Sequence, residues 1–383
     1  MSKAKTYGYL GATFLAAASL LCACSDEARQ MEEPQEETVQ LSLTIQTRAT
    51  TAADGYEAGS KYENYINVAD GDYRIYFFDS GNKYITTFDS SDNIAIGGYE
   101  DQEYSTYHVI GKAPQGLVDN ASDFKIVMLA NWGTDNYPSD ADLEVGETTI
   151  DDICDATFDA FTNFQLSPST NLIPFYGVHE YKNVTFNQGE ATLLDGSLTL
   201  LRAMAKVEVI LEENDDVGYE DADFEYVRLY RYNSKGYCAP SGIYTQDSYD
   251  HNYTYNLDFV DDLHLVNNAN DTDTYGKYLT MLQSEEASDG VIGKWIAYVP
   301  EYDNSGDDYS YIEVKLNYSY TPDRIYFANY TDGETDNTDT SKRYDIHRNY
   351  LYRFRVSLVD GYLRVDPEKW EKTFDNVFEF EDQ

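Results

Sequence analysis

The segment VQLSLTIQTRAT, residues 39–50, decides how the rest of the chain is read. Val39, Leu41, Leu43 and Ile45 alternate with Gln40, Ser42, Thr44 and Gln46. A period of two puts one apolar row and one polar row on opposite faces of a β-strand. Arg48 follows at once, ahead of a stretch of small residues that begins at Ala49. A strand made for burial thus stands at the front of the chain beside a protease-type basic residue.

Toward the C-terminus the pattern repeats. The runs YRIYFFD (73–79), NKYITTF (82–88), FKIVMLANW (124–132), AKVEVILEE (205–213), KWIAYVPEY (294–302), YIEVKLNYSY (311–320) and YLYRFRVSLV (350–359) are short and rich in β-branched and aromatic residues. Gly, Asn, Asp and Ser clusters separate them, and many short strands at this spacing predict an all-β sandwich or barrel. Helical turns are expected over 150–164, where Ile150, Ile153, Cys154, Phe158 and Phe161 fit one helical face. The glycines and acid of 189–196 mark a break, dividing a first domain at 49–195 from a second at 196–383.

Toward the N-terminus, residues 25–38 (SDEARQMEEPQEET) are polar and acidic and read as a linker. Ahead of it, Lys3 and Lys5 precede the apolar run GYLGATFLAAASLL, which is short for a membrane span and reads as a signal peptide. It ends in Leu21-Cys22-Ala23-Cys24, which resembles a bacterial lipobox and makes Cys24 the lipidation site, with residues 1–24 as the lipoprotein leader. The acidic Ser25-Asp26-Glu27 resembles a surface-export signal of Bacteroidetes lipoproteins.

The 383 residues carry a formal charge of -42, which repels phosphate backbones and anionic headgroups and argues against nucleic acid as a partner. Acid excess alone would also fit disorder, but 37 Tyr, 17 Phe and 3 Trp point to a folded chain. Apart from the lipobox, Cys154 and Cys238 remain, read either as a pair or as buried small hydrophobes.

Catalytic patterns are scarce. The chain has no H-E-x-x-H, G-x-S-x-G, phosphate loop or C-x-x-C, and His108, His179, His251, His264 and His347 are scattered without ligand spacing. The loop Asp271, Asp273, Gly276 has Leu282 where a calcium loop needs a bidentate acid, and Asp140, Asp142, Glu144 lacks the glycine. The expectation is a non-enzyme without metal or cofactor. The tyrosine excess keeps a glycan-binding surface lipoprotein as a rival reading.

Several stretches together resemble the fimbrillin family of type V pilus subunits from Bacteroidetes. They are YRIYFFDSGNKYI; LTLLRAMAKVEVIL (198–211), with the pattern L-x-R-x-x-A-K-V-E-V; AYVPEY (297–302), with Y-x-P-E; and HRNYLYRFRVSLV (347–359). The resemblance implies two transthyretin-like β-sandwich domains in tandem with a few short helices, and export as an outer-membrane lipoprotein. It also implies assembly with other fimbrial subunits after an Arg-specific protease removes an N-terminal strand. Carried over, the removed strand holds Val39, Leu41, Leu43 and Ile45, and cleavage falls between Arg48 and Ala49, so that residues 25–48 complete the propeptide. A neighbour's C-terminal strand then fills the vacated groove. The candidate donor lies near 363–383, with Phe374, Val377, Phe378 and Phe380 as its apolar residues. The other reading of that tail is a closing strand of its own domain. Within the family the alternative role is an anchor subunit that keeps its lipid.

Overall fold

The structure is a computed structural model. It describes residues 40–48, 62–68, 71–88, 95–100, 104–120, 122–133, 136–138, 140–154, 157–187, 191–212, 224–233, 235–237, 265–266, 278–284, 291–301, 304, 309–317, 320–328, 346–359 and 362–367. All belong to the compact unit Thr38–Gln383. Cys24, Val39, Ala49, Cys238, His251, His264, the Asp271 loop and the tail residues Phe374, Val377, Phe378 and Phe380 lie outside the described residues.

The described residues form an all-β protein of the sandwich class. Its first strands are β1 (Gln40–Arg48), β2 (Tyr73–Asp79), β3 (Tyr84–Phe88), β4 (Ala95–Glu100), β5 (Tyr104–Lys112), β6 (Phe124–Ala130), β7 (Thr157–Asp159), β8 (Phe175–Tyr181) and β9 (Ala191–Arg202). The short helices α1 (Gln115–Asn120) and α2 (Ile150–Cys154) lie among them. Eight of these strands make one sheet in the order β3-β2-β6-β8-β9-β1-β5-β4. It folds over its own core, in which Ile75, Phe77, Ile126 and Met128 of β2 and β6 pack with Leu41, Ile45, Val109 and Leu198 of β1, β5 and β9.

The sheets change over at Ala203. Next come β10 (Met204–Glu212), β11 (Phe224–Tyr230), β12 (Tyr232–Asn233), β13 (Lys235–Tyr237), β14 (Leu265–Val266), β15 (Tyr278–Thr280) and β16 (Leu282–Ser284). The last are β17 (Val291–Pro300), β18 (Tyr311–Leu316), β19 (Asp323–Tyr326), β20 (Leu351–Val359) and β21 (Tyr362–Pro367). They pair as a five-stranded sheet β16-β17-β10-β20-β21 and a four-stranded sheet β15-β11-β18-β19, with small pairs β12-β14 and β13-β7.

Every residue of β6, FKIVMLA, is buried. The reason is that β6 has apolar neighbours on both faces. Ile126 and Met128 join the first core, whereas Val127 and Leu129 join a second core that runs on through Val207, Val209, Ile312 and Phe354 of the later sheets. A continuous apolar run is what two covered faces demand.

Two local features differ from the sequence reading. The helix expected over 150–164 stops at Cys154, and Thr157–Asp159 pairs antiparallel with Lys235–Tyr237 instead. Phe158 sits edge-on to Trp132, with ring centroids 5.2 Å apart, and lies over Gly236, where a Cβ would come within 2.2 Å of its ring. Tertiary packing thus overrides the helical spacing, although Ile150, Ile153, Phe158 and Phe161 are all buried. The second feature is β9. Much of the segment read as a break belongs to this strand, and its glycine forms a bulge rather than a turn. Ser42 pairs with Leu193 and Thr44 with Ser197, so the stretch holding Asp195 and Gly196 is extra on β9, with Gly196 at φ 89°.

Candidate functional site

The first candidate site is the slot that β1 occupies. All nine residues of β1 pair antiparallel with β5, from Gln40 opposite Lys112 to Arg48 opposite Tyr104. On its other side β1 runs parallel to β9, from Gln40 opposite Ala191 to Thr47 opposite Leu200. It is therefore an interior strand with both backbone edges engaged. Leu41 and Ile45 are fully buried, while Ser42 and Thr44 on the opposite face are half-exposed, as the alternation predicts. The Thr44 hydroxyl lies 3.3 Å from His108 Nδ1 on β5. Arg48, opposite Tyr104, is the last rung of the ladder among the described residues.

Without β1, the edges of β5 and β9 would expose unpaired N–H and C=O groups, and the apolar floor made by Tyr107, Val109, Leu198 and Leu200 would open. Such a surface recruits an extended segment by strand addition. At the other end of the chain, β21 pairs antiparallel with β20, so Leu363 to Pro367, the start of the candidate donor range, close their own sheet.

The family-like motifs converge on a different place. Arg202, Lys206, Glu208, Tyr298, Glu301, Arg348 and Asn349 are all buried. Lys206, Glu208, Lys294, Tyr298 and Arg353 share one face of the sheet β17-β10-β20, and Glu63 from the 62–68 segment closes over them. Lys206 Nζ is 3.1 Å from Glu63 Oε1 and 2.8 Å from Glu208 Oε1. Lys294 Nζ lies 3.3 Å from Glu208, and Arg353 Nε donates to Glu208 Oε2 at 2.8 Å. The Tyr298 hydroxyl donates to Glu63 Oε1 at 2.5 Å. Burial alone would raise the Glu208 carboxyl, but Lys206, Lys294 and Arg353 outweigh it and hold the carboxyl at about 2.

Alongside, Arg202 donates to the Glu63 carbonyl at 3.2 Å, to Asn349 Oδ1 at 3.2 Å and to Asn64 Oδ1. Arg348 Nε donates to Glu301 Oε1 at 2.8 Å, and its Nη2 reaches the Tyr237 carbonyl at 3.1 Å. Burial lowers the nearby His347 imidazole against the pull of Glu301. These are paired, enclosed charges with the geometry of a fastening, binding the 62–68 segment to the later sheets. Sequence reading found the motifs but not their joint role. No sequence signal marks that role, because Lys206 and Glu208 alternate with apolar residues as a solvent-facing row would.

Elsewhere the chemistry is sparse. A cavity of about 320 Å³ near Asn67, Asp72, Asn136 and Thr170 is polar. Burial raises the Asp72 carboxyl, but Tyr137 Oη and the Gly133 N–H already donate to it at 2.7 and 3.0 Å. Asp142 and Glu144 are exposed, and no metal-holding group of three is present among the described residues. No helix among those residues is long and apolar enough to cross a membrane.

The class the sheets define is an all-β sandwich protein. No family model and no curated protein matches the chain. Among solved structures it is similar to a fimbrial assembly protein from Parabacteroides distasonis ATCC 8503, with a TM-score of 0.46 and 14% identity, over 86% of this chain and 100% of that one. It is also similar to the fimbrial anchor protein Mfa2 from Porphyromonas gingivalis, with a TM-score of 0.35 and 11% identity, over 85% of this chain and 95% of that one.

Proposed function

We propose that the chain is a structural subunit, stalk or tip, of cell-surface fimbriae that supports adhesion. In this reading it is a non-enzymatic protein of two sandwich domains, exported as an outer-membrane lipoprotein through Cys24. An Arg-specific protease cuts after Arg48, and subunits then polymerise by strand exchange. The observation that carries the reading is the seat of β1, an N-terminal strand paired on both sides and buried through Leu41 and Ile45, with Arg48 as its last described rung. A strand so placed completes the sheet during export, yet one peptide-bond cut separates it from the body it completes. Once cut, it loses the high local concentration its tether supplied, and an incoming strand competes for the slot on equal terms.

The test is limited trypsin digestion of the precursor followed by N-terminal sequencing. The expected product is protease-resistant, starts at Ala49 and forms ladders of strand-exchanged oligomers, whereas Arg48→Ala stays uncut at this position and forms no such ladders. If Arg48 resists cleavage in the native fold, the strand-removal reading fails. One observation favours the anchor alternative: Arg48 is itself paired in the ladder opposite Tyr104, a placement that would slow cleavage after it. An anchor would keep both β1 and the lipid.

A further inference from the structure

The polar cavity of about 320 Å³ has three walls: Asn67 and Asp72 form one, Asn131–Gly133 with Asn136 a second, and parts of 158–174 the third. Asn136, Thr162 and Thr170 of its lining are exposed and Asp72 and Asn171 half-exposed, so its mouth meets solvent. Asn131 ties the walls together. Its Nδ2 donates to the Tyr65 carbonyl at 2.7 Å and to the Ile173 carbonyl at 3.0 Å, and its Oδ1 accepts the Asn67 N–H at 2.9 Å. Trp132 Nε1 adds a bond to the Phe175 carbonyl at 2.8 Å. The cavity is thus held in shape before anything enters it, which removes an ordering cost from binding.

The unspent atoms of the lining are acceptors. Asp72 Oδ1 takes the Tyr137 hydroxyl and the Gly133 N–H, and among the described residues no donor reaches its Oδ2. Asn136 Nδ2 donates to the Trp132 carbonyl at 2.6 Å, and Asn171 Nδ2 to the Asn163 and Gln165 carbonyls at 3.0 and 3.2 Å. That leaves Oδ1 of each amide without a donor among the described residues, and three acceptors around one space call for a ligand rich in O–H or N–H groups. The charged side chains of the lining are the carboxylates Asp72 and Asp159, which turn away phosphates and other anions. Among the described residues no group of three could hold a metal ion. An organic ammonium wants open aromatic faces, whereas Trp132 and Phe158 are buried and meet each other edge-on. Pro168 and Leu172 give the lining an apolar side that C–H groups can cover. A neutral sugar supplies both contacts, and the volume, at the low end for ligand pockets, suits one ring.

We propose that this cavity binds one ring of a neutral glycan, whose hydroxyls donate to Asp72, Asn136 and Asn171. Such a site gives the adhesive role proposed above a ligand class, and rests on that reading for its purpose alone.

Saturation-transfer NMR of the full uncleaved chain with the methyl glycosides of glucose, galactose, mannose, fucose and N-acetylglucosamine tests this. Binding of at least one glycoside is expected, weakened about tenfold or more by Asp72→Asn, which sets an amide donor where the acceptor stands. Asp72 also holds the turn at Gly133, and its replacement can disturb the wall. Thr162→Trp, a bulky side chain at an exposed position of the lining, is therefore measured alongside, with thermal melts; loss of binding at an unchanged melting temperature is expected. A chain that binds none of these glycosides overturns the proposal. So does binding that persists in Thr162→Trp or is indifferent to Asp72→Asn, or binding of tetramethylammonium or calcium in place of sugar. Reading the uncleaved chain separates the two ideas: failure here leaves strand removal standing, and failure of cleavage leaves the sugar site standing.

Discussion

At the scale of single residues, Glu208 decides how the chain responds to acid. Its carboxyl is held at about 2 against an ordinary 4.5. A carboxyl held down in the folded state contributes stability that is complete above its unfolded value and lost as pH falls from there through its folded value. Thermal stability should therefore drop between about pH 4.5 and pH 2, and the slope across that window should shrink in Glu208→Gln. The same substitution leaves Lys206, Lys294 and Arg353 short of a counter-charge, at a cost of about 3 to 5 kcal/mol in urea unfolding. Gly177 is a second sensitive position for steric reasons. A Cβ there would come within 2.6 Å of the Thr199 carbonyl and 2.4 Å of Leu200 Cδ2, so Gly177→Ala should cost about 1 to 3 kcal/mol, read by the same unfolding. The burial of Lys206 and Glu208 was not legible in the sequence. In AKVEVILEE they look like the solvent face of an amphipathic strand, and Glu63, which covers them, comes from a distant segment.

At the scale of elements, β1 was the most legible part of the chain. Its alternation predicts a one-faced strand, and Leu41 and Ile45 are fully buried on the expected face. What alternation does not carry is the identity of its neighbours. The parallel partner β9 lies far along the chain, and the bulge at Asp195 and Gly196 that accommodates it looks in sequence like a domain border. The helical spacing of 150–164 misled for a related reason, because Phe158 answers to Trp132 and Gly236 rather than to its own turn. Leu41→Ala and Ile45→Ala should each destabilise the precursor by about 2 to 5 kcal/mol in chemical denaturation. After trypsin, both variants should release the β1 peptide faster. A synthetic peptide of residues 39–48 should slow assembly of cleaved subunits, whereas the same peptide with Ser42→Pro, which loses an N–H inside the slot, should not.

At the scale of the whole molecule, one apolar core joins the back of β2, β6 and β8 to both later sheets. Calorimetry should accordingly show a single cooperative transition with matching calorimetric and van't Hoff enthalpies, and a fragment beginning at Ala203 should lack native near-UV signals. Deleting residues 372–383 should stop polymerisation and leave that transition in place; loss of the transition would make the tail a core strand. The seat of β1 has one more consequence. Its neighbours run in opposite senses, β5 against it and β9 along it, and the bulge on β9 fixes where along the strand the two ladders fall into step. A replacement strand that satisfies both ladders enters in only one sense. If subunits join by the strand exchange proposed above, every joint would point the same way, and a filament would have a head and a tail: one end growing by offering an open cleft, the other by offering a free strand.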